Sequence, residues 1–199
     1  MKFVGIFPSR APHFGGLWEG AVKAAKYHLQ RIVGNAHLTF EELSTVFIQI
    51  EAILNSRPLT PMSDDPNDLS SLTPGHFLIG DALMATPQLE VTTVPVNRLS
   101  HFLQLQQIVQ HFWKRWVNEY ITSLQERTKW RFRDHSNVKI GSLVMLKADN
   151  SPPLLWPLGR ITELHPGKDG VVRVVSVKTL DGVVKRAVTK VCVLPIETI

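Results

Sequence analysis

Glu19, Lys23, Lys26 and Gln30 are spaced i, i+4, i+7 and i+11, which places them on one stripe of a helix. One carboxylate then sits near the helix start, with two ammonium groups below it on the same face. Two chemistries fit that pattern. A carboxylate can hold a divalent metal while lysines hold a phosphate backbone, because Mg²⁺ takes oxygen ligands and nucleic acid takes cations. A solvated helix edge with Glu-to-Lys pairing, worth a few tenths of a kcal/mol, is the commoner use of such a stripe. Spacing does not decide between them.

The helix itself is legible. Gly15 and Gly16 open it, no proline interrupts Leu17 to Val33, and Gly34-Asn35 ends it. Trp18, Val22, Ala25, Leu29 and Ile32 fall within about 40° of one line and form its apolar stripe. A second helix begins with a capping box, Thr39 and Glu42, flanked by a Leu38–Leu43 staple. It carries Leu43, Val46, Phe47, Ile50, Ile53 and Leu54 at helical spacing and ends near Ser56, since Arg57 precedes Pro58. Glu51 in this helix reads as a solvated charge.

The stretch APHFGGLWEGAVKAAKYHL resembles the segment around the last catalytic carboxylate of Pao/BEL-type retrotransposon integrases. LTFEELSTVFIQIEAILNSRPLTP, LTPGHFLIGDAL, HFWKRWVNEYITSLQERTKW and WPLGRITELHPGKDGVVRVVSVKT continue the likeness collinearly over nearly the whole chain. The resemblance implies that Glu19 is the glutamate of an Asp-Asp-Glu metal triad, with Lys23 and Lys26 toward the DNA end. It also implies that residues 2–7 are the final strand of an RNase H-like core, and that residues 1–97 are the C-terminal remnant of that core. The parent chemistry is Mg²⁺-assisted strand transfer, which needs three carboxylates. No aspartate precedes Asp64, so two ligands are lacking and the order is wrong. Gly20 also stands where the family has a basic residue. The expectation is a truncated integrase, or one piece of a longer polyprotein, with catalysis lost and no cofactor of its own.

Composition narrows the class. An apolar fraction of 44% over 199 residues fits one or two globular domains. No run of 18 apolar residues and no apolar leader is present, so neither membrane nor secretion is expected. Cys192 is the only cysteine, which excludes internal disulfides. The histidines have no cysteine partners at zinc spacing. A nuclear location is expected for a working integrase piece and a cytoplasmic one otherwise.

Residues 58–73 read as loop. Asp64, Asp65 and Asp68 there lack the glycine and glutamate of a calcium loop and read as turn residues. Thr73-Pro74 starts a short helix that Gly80 stops, and residues 81–97 read as an extended linker. A long helix follows over about Leu99 to Trp130, within a connecting segment 98–135. Phe102, Leu105, Val109, Phe112, Trp116, Tyr120 and Leu124 form its stripe, with Trp113 and Trp130 off it. Lys114, Arg115, Arg127, Lys129, Arg131 and Arg133 could be a solvated or a backbone-binding edge.

Residues 136–199 hold five strand candidates and an Asp181-Gly182 hairpin signal, the pattern of a small SH3-like β-barrel. They carry 9 basic against 5 acidic side chains. Lys147, Arg160, Arg173, Lys178, Lys185 and Arg186 are the expected DNA contacts, beside Lys23 and Lys26. Trp156 is the only aromatic after Phe132, so base stacking and a methyl-lysine cage are disfavoured and phosphate contact remains. The partner expected is duplex DNA bound without sequence preference, with self-association as an inert scaffold as the alternative. The apolar stripe of the first helix is expected to lack most of its covering sheet.

Overall fold

The computed structural model describes residues 16–34, 36–86, 88–125, 138–147 and 151–195, with side chains from Glu19. The strand expected at 2–7, the Trp18 side chain and the basic run 127–133 lie outside these residues. Among these residues the architecture is α+β: four α-helices, with a long one among them, a two-stranded sheet and a five-stranded antiparallel sheet.

Helix α1 spans Gly16–Val33 and α2 spans Phe40–Asn55. The capping box forms as the sequence predicts. Thr39 Oγ1 accepts from the Glu42 amide at 3.4 Å, and the Glu42 carboxylate accepts from the Thr39 amide at 2.9 Å. Two-residue strands β1 (Thr60–Pro61) and β2 (Ser71–Leu72) pair and frame the acidic loop. In that loop Asp65 and Asp68 accept from the amides of Asn67 and Ser70, each at 2.8 Å, the turn role expected of them. Helix α3, Pro74–Ile79, stops at Gly80, where φ is 80°.

Helix α4 runs from His101 to Leu124. Leu105, Val109, Phe112 and Trp116 are buried as the stripe predicts, but Phe102 at its start is exposed. The buried surface extends further than one apolar stripe. Trp113 is 2% exposed, and Gln106, Gln107 and Gln110 are buried with it. Two of these glutamines have a specific task. Gln110 accepts from the Val91 amide at 2.9 Å and donates to Leu89 O at 2.8 Å; Gln107 donates to the carbonyls of Val91 and Val94, each at 2.7 Å. Much of the expected linker is therefore strapped along α4, its backbone groups satisfied by side chains rather than by a sheet.

Helix α1 packs on α4. Leu29 is buried there, Ala24, Ala25, Ile32 and Val33 are half-buried in the same cluster, and only Val22 of the stripe's described residues stays exposed. The expectation was a stripe short of its covering sheet; in the described residues α4 covers most of it instead. His28, 5% exposed, reaches Glu119 of α4 at 2.7 Å and meets Phe112 edge-on.

The sheet comprises β3 (Leu143–Leu146), β4 (Leu158–Pro166), β5 (Val172–Thr179), β6 (Gly182–Ala187) and β7 (Val191–Val193). Its order is β6-β5-β4-β3-β7, a meander whose last strand returns beside the first. A 3-10 turn over Val188–Lys190 makes the return. Pairing residues share a face, and this divides β3. Leu143 and Met145, with Cys192 and Leu194, face the helices, while Val144 and Leu146 join Ile161, Val175, Val177 and Val191 in a second cluster.

The sheet is open, not the closed barrel expected: among the described residues β6 pairs only with β5, and β7 only with β3. On its inward face β6 offers Val184, and the next inward position, opposite Val175, is Arg186. No apolar row remains there to seal a seam against a strand only three residues long. The hairpin also differs from expectation. Leu180 and Asp181 form its turn, and Gly182 follows as the first residue of β6, with φ at 125°, a value suited to glycine.

Candidate nucleic-acid interface

Glu19, Lys23, Lys26 and Gln30 are all exposed on α1, while His28 and Leu29 turn to α4. The stripe read from the sequence therefore lies on the solvent side. Glu19 falls in the first helical turn, where a carboxylate complements the helix dipole. Among the described residues no group of three His, Cys, Asp or Glu side chains could hold a metal. Among the described residues Glu19 therefore stands without the further carboxylates that a two-metal centre needs.

Among the sheet cations, Arg160 needs correction. It is 4% exposed. Its Nε donates to Asp68 O and its Nη1 to Gly141 O, each at 2.8 Å, and its Nη2 donates to Ser63 O. It lies opposite Leu143 on β3, at the rim of the helix-facing row. The guanidinium fork ties the acidic loop to the sheet and offers no edge to a polyanion. A sequence cannot distinguish such an arginine from a surface one, since both sit at an outward register.

The others are differently placed. Arg173 grips Asp169 with two bonds of 2.8 and 2.6 Å, and that guanidinium holds the Asp169 carboxyl well below the usual carboxylate range. Its charge is largely answered locally. Lys178 is exposed and donates to Asn67 Oδ1 at 2.7 Å, a neutral partner. Lys185 and Arg186 are exposed on β6, and Lys147 is half-buried at the end of β3. Lys178 pairs with Val183, so Lys185, two residues on, lies diagonally from it on the same face, about 7–8 Å away. The structure therefore brings Lys178 and Lys185 together and leaves Arg186 on the opposite side of the same edge strand.

Two constellations escape the sequence. Ser176, His165 and Glu163 meet on the outward face of β4 and β5. Ser176 Oγ is 2.7 Å from His165 Nε2 and 3.4 Å from Glu163, which itself lies 3.5 Å from the same Nε2. A nucleophilic triad needs the acid on the other ring nitrogen, to orient the imidazole. Here both partners share one nitrogen, and Ser176 is buried. The cluster is a surface hydrogen-bond network. Second, Trp156 is surrounded by Trp113, Trp116 and Tyr120, with centroids 4.8, 5.8 and 5.7 Å away. Trp156 Nε1 donates to Ser56 Oγ at 3.0 Å, and Tyr120 OH to Pro58 O at 2.5 Å. Burial pushes the Tyr120 phenol up to about 12. These rings fill one another and join three chain segments, so they form core and not a cage for a ligand. A groove between the strap and α4, lined by Glu90, Gln110, Trp113, Lys114 and Pro152, has room for little more than water.

No described helix is long and apolar enough to cross a membrane. Residues 100–194 match a family of unknown function, DUF5641. The match starts just before α4 and ends after β7, so it covers the long helix and the sheet together. No curated protein and no solved structure matches the chain.

Proposed function

We propose that this chain is the C-terminal part of a Pao/BEL-type retrotransposon integrase that holds DNA by its phosphate backbone and does not itself cut or join strands. The carrying observation is the pair Lys178 and Lys185 on one open sheet face, with Arg186 at the same edge and no aromatic side chain among them. Such a surface suits phosphates and lacks the means to read bases. Two further points support the reading. The family matched over residues 100–194 is commonly found in retrotransposon-derived proteins. A meander with its fifth strand returning beside the first also suits an SH3-like domain opened on one side. On this reading α1 and α2 are the end of an RNase H-like core, Glu19 is the last carboxylate of its triad, and the protein works in the nucleus.

The test is a fluorescence titration of the whole chain with labelled duplex at several salt concentrations. With Arg160 and Arg173 engaged elsewhere, Lys147, Lys178, Lys185 and Arg186 are the sheet cations that remain from the expected set. A log–log salt slope of about −3 to −4 follows, at roughly −0.9 per phosphate. Lys185→Glu with Arg186→Glu should weaken every duplex sequence alike. A flat salt response would overturn the reading. A labelled DNA end incubated with Mg²⁺ or Mn²⁺ should stay uncut, and metal-dependent product lost in Glu19→Gln would contradict the catalytic part. The alternative, a self-associating scaffold, draws on exposed Phe40, Phe77, Leu78 and Ile79. Sedimentation showing a dimer without any DNA binding would select it.

A further inference from the structure

The edge of β6 carries a different opportunity. Leu180 and Asp181 form a two-residue turn, so Thr179–Gly182 is a hydrogen-bonded pair, as are Val177–Val184 and Val175–Arg186. The alternate residues Val183, Lys185 and Ala187 then direct their N–H and C=O groups away from β5. Among the described residues no other backbone group answers them; the Lys185 carbonyl accepts from the exposed Arg186 Nη1 at 3.1 Å, a side-chain bond that an added strand would displace. Val183 is 64% exposed, and Lys185, Arg186 and Ala187 are exposed beside it. An unpaired edge of this kind is a template for a further strand.

We infer that this edge receives an extended acidic peptide from a partner protein, added to the sheet as a sixth strand beside β6. Charge selects the occupant. A residue opposite Lys185 shares its face with Lys185 and with Lys178, which lies one strand further in; a residue opposite Arg186 lies on the other face. Two neighbouring carboxylates thus each meet a cation, and an apolar side chain suits the position opposite Val183. A second copy of this chain is disfavoured, because edge-to-edge pairing would set Lys185 and Arg186 of one copy near those of the other. The inference does not rest on DNA binding, since it uses backbone groups that phosphates do not align.

The probe is a blocked peptide, Ser-Thr-Glu-Glu-Thr-Val-Ser, titrated into the isotope-labelled full chain. Run antiparallel, it sets its glutamates opposite Arg186 and Lys185 and its valine opposite Val183. Expected is new hydrogen-exchange protection at the amides of Val183, Lys185 and Ala187, with Val184 and Arg186 unchanged because they already bond to β5. N-methylation of the second glutamate, which faces Lys185, should abolish binding; N-methylation of the following threonine should not. Lys185→Glu with Arg186→Glu should weaken binding about tenfold, from two lost cross-strand charge pairs. Equal tolerance of both N-methyl peptides would overturn the inference, as would shifts confined to the Lys185 and Arg186 side chains, the mark of polyanion adsorption. So would protection that appears with protein concentration alone, the mark of an edge-to-edge dimer. Loss of DNA binding in a parallel titration would leave it standing.

Discussion

Replacing Arg160 separates a structural clamp from a surface cation. Its fork satisfies three carbonyls, those of Ser63, Asp68 and Gly141, from a site 4% exposed. A hydrogen bond to a charged group contributes about 1.5–3 kcal/mol net. The sum of three is an upper bound, because taking the guanidinium out of water costs several kcal/mol. Ser63 and Asp68 are also only half-buried, so water can reach their carbonyls in a variant. Arg160→Met should therefore cost about 2–4 kcal/mol, a large share of the stability of an ordinary domain. Arg160→Lys keeps the charge but not the fork and should recover less than half of the loss. Urea unfolding measures this as a lower midpoint with an unchanged slope. Amide exchange should rise across residues 62–70, the loop that the fork holds. A cost below about 1 kcal/mol would refute the clamp. So would an Arg160→Met chain of full stability whose DNA affinity falls as far as that of the Lys185 and Arg186 reversal; that result would return Arg160 to the interface.

Gly159→Ala should cost about 1–3 kcal/mol by the same unfolding measurement, since its Cβ would stand 2.5 Å from Val177 Cγ1 and 2.7 Å from Lys178 O. Tyr120 is held neutral up to about 12, above its ordinary 10, so its contribution is complete below pH 10 and is lost as pH rises toward 12. Tyr120→Phe should lose about 1 kcal/mol with the Pro58 bond and flatten that alkaline decline, read from unfolding midpoints between pH 9 and 12. Burial raises the Cys192 thiol to about 11, so a thiol reagent at pH 8 should label it only after denaturant is added; fast labelling of the native chain would contradict its place in the core.

The sequence was most readable where local chemistry acts alone. Thr39 and Glu42 announce α2, Gly80 stops α3, and Asp65 and Asp68 make turns; each works through its own neighbours within four residues. The stripe through Leu105, Val109, Phe112 and Trp116 was readable because periodicity states which side is apolar. It does not state where that side ends. Gln107 and Gln110 fall on what looks like a polar face, and they are buried because the chain returns to give them backbone partners. Arg160 failed for the same reason. Its partners lie 92, 19 and 97 residues away, and no local pattern carries such pairings. Trp156 looked isolated because its ring partners come from α4, more than thirty residues earlier.

The shared core also decides where binding must be measured. Leu143, Met145, Cys192 and Leu194 pack in one cluster with Val109, Phe112, Trp113 and Trp116 of α4, and Leu29 of α1 belongs to it too. A boundary between residues 135 and 136 cuts through that cluster. It would leave the helix-facing row of β3 and β7 open to water, together with Trp156. A sheet of about 60 residues has little stability to spare. Its remaining core, built on Val144, Ile161, Val175 and Val177, covers one face only. The cations Lys178 and Lys185 keep their spacing only while β5 and β6 stay paired, and that pairing rests on β4 and β3, which α4 supports. The extent of the matched family, 100–194, follows the same physical unit. Salt slopes and charge reversals therefore report on the interface when they are taken on the chain that retains α4.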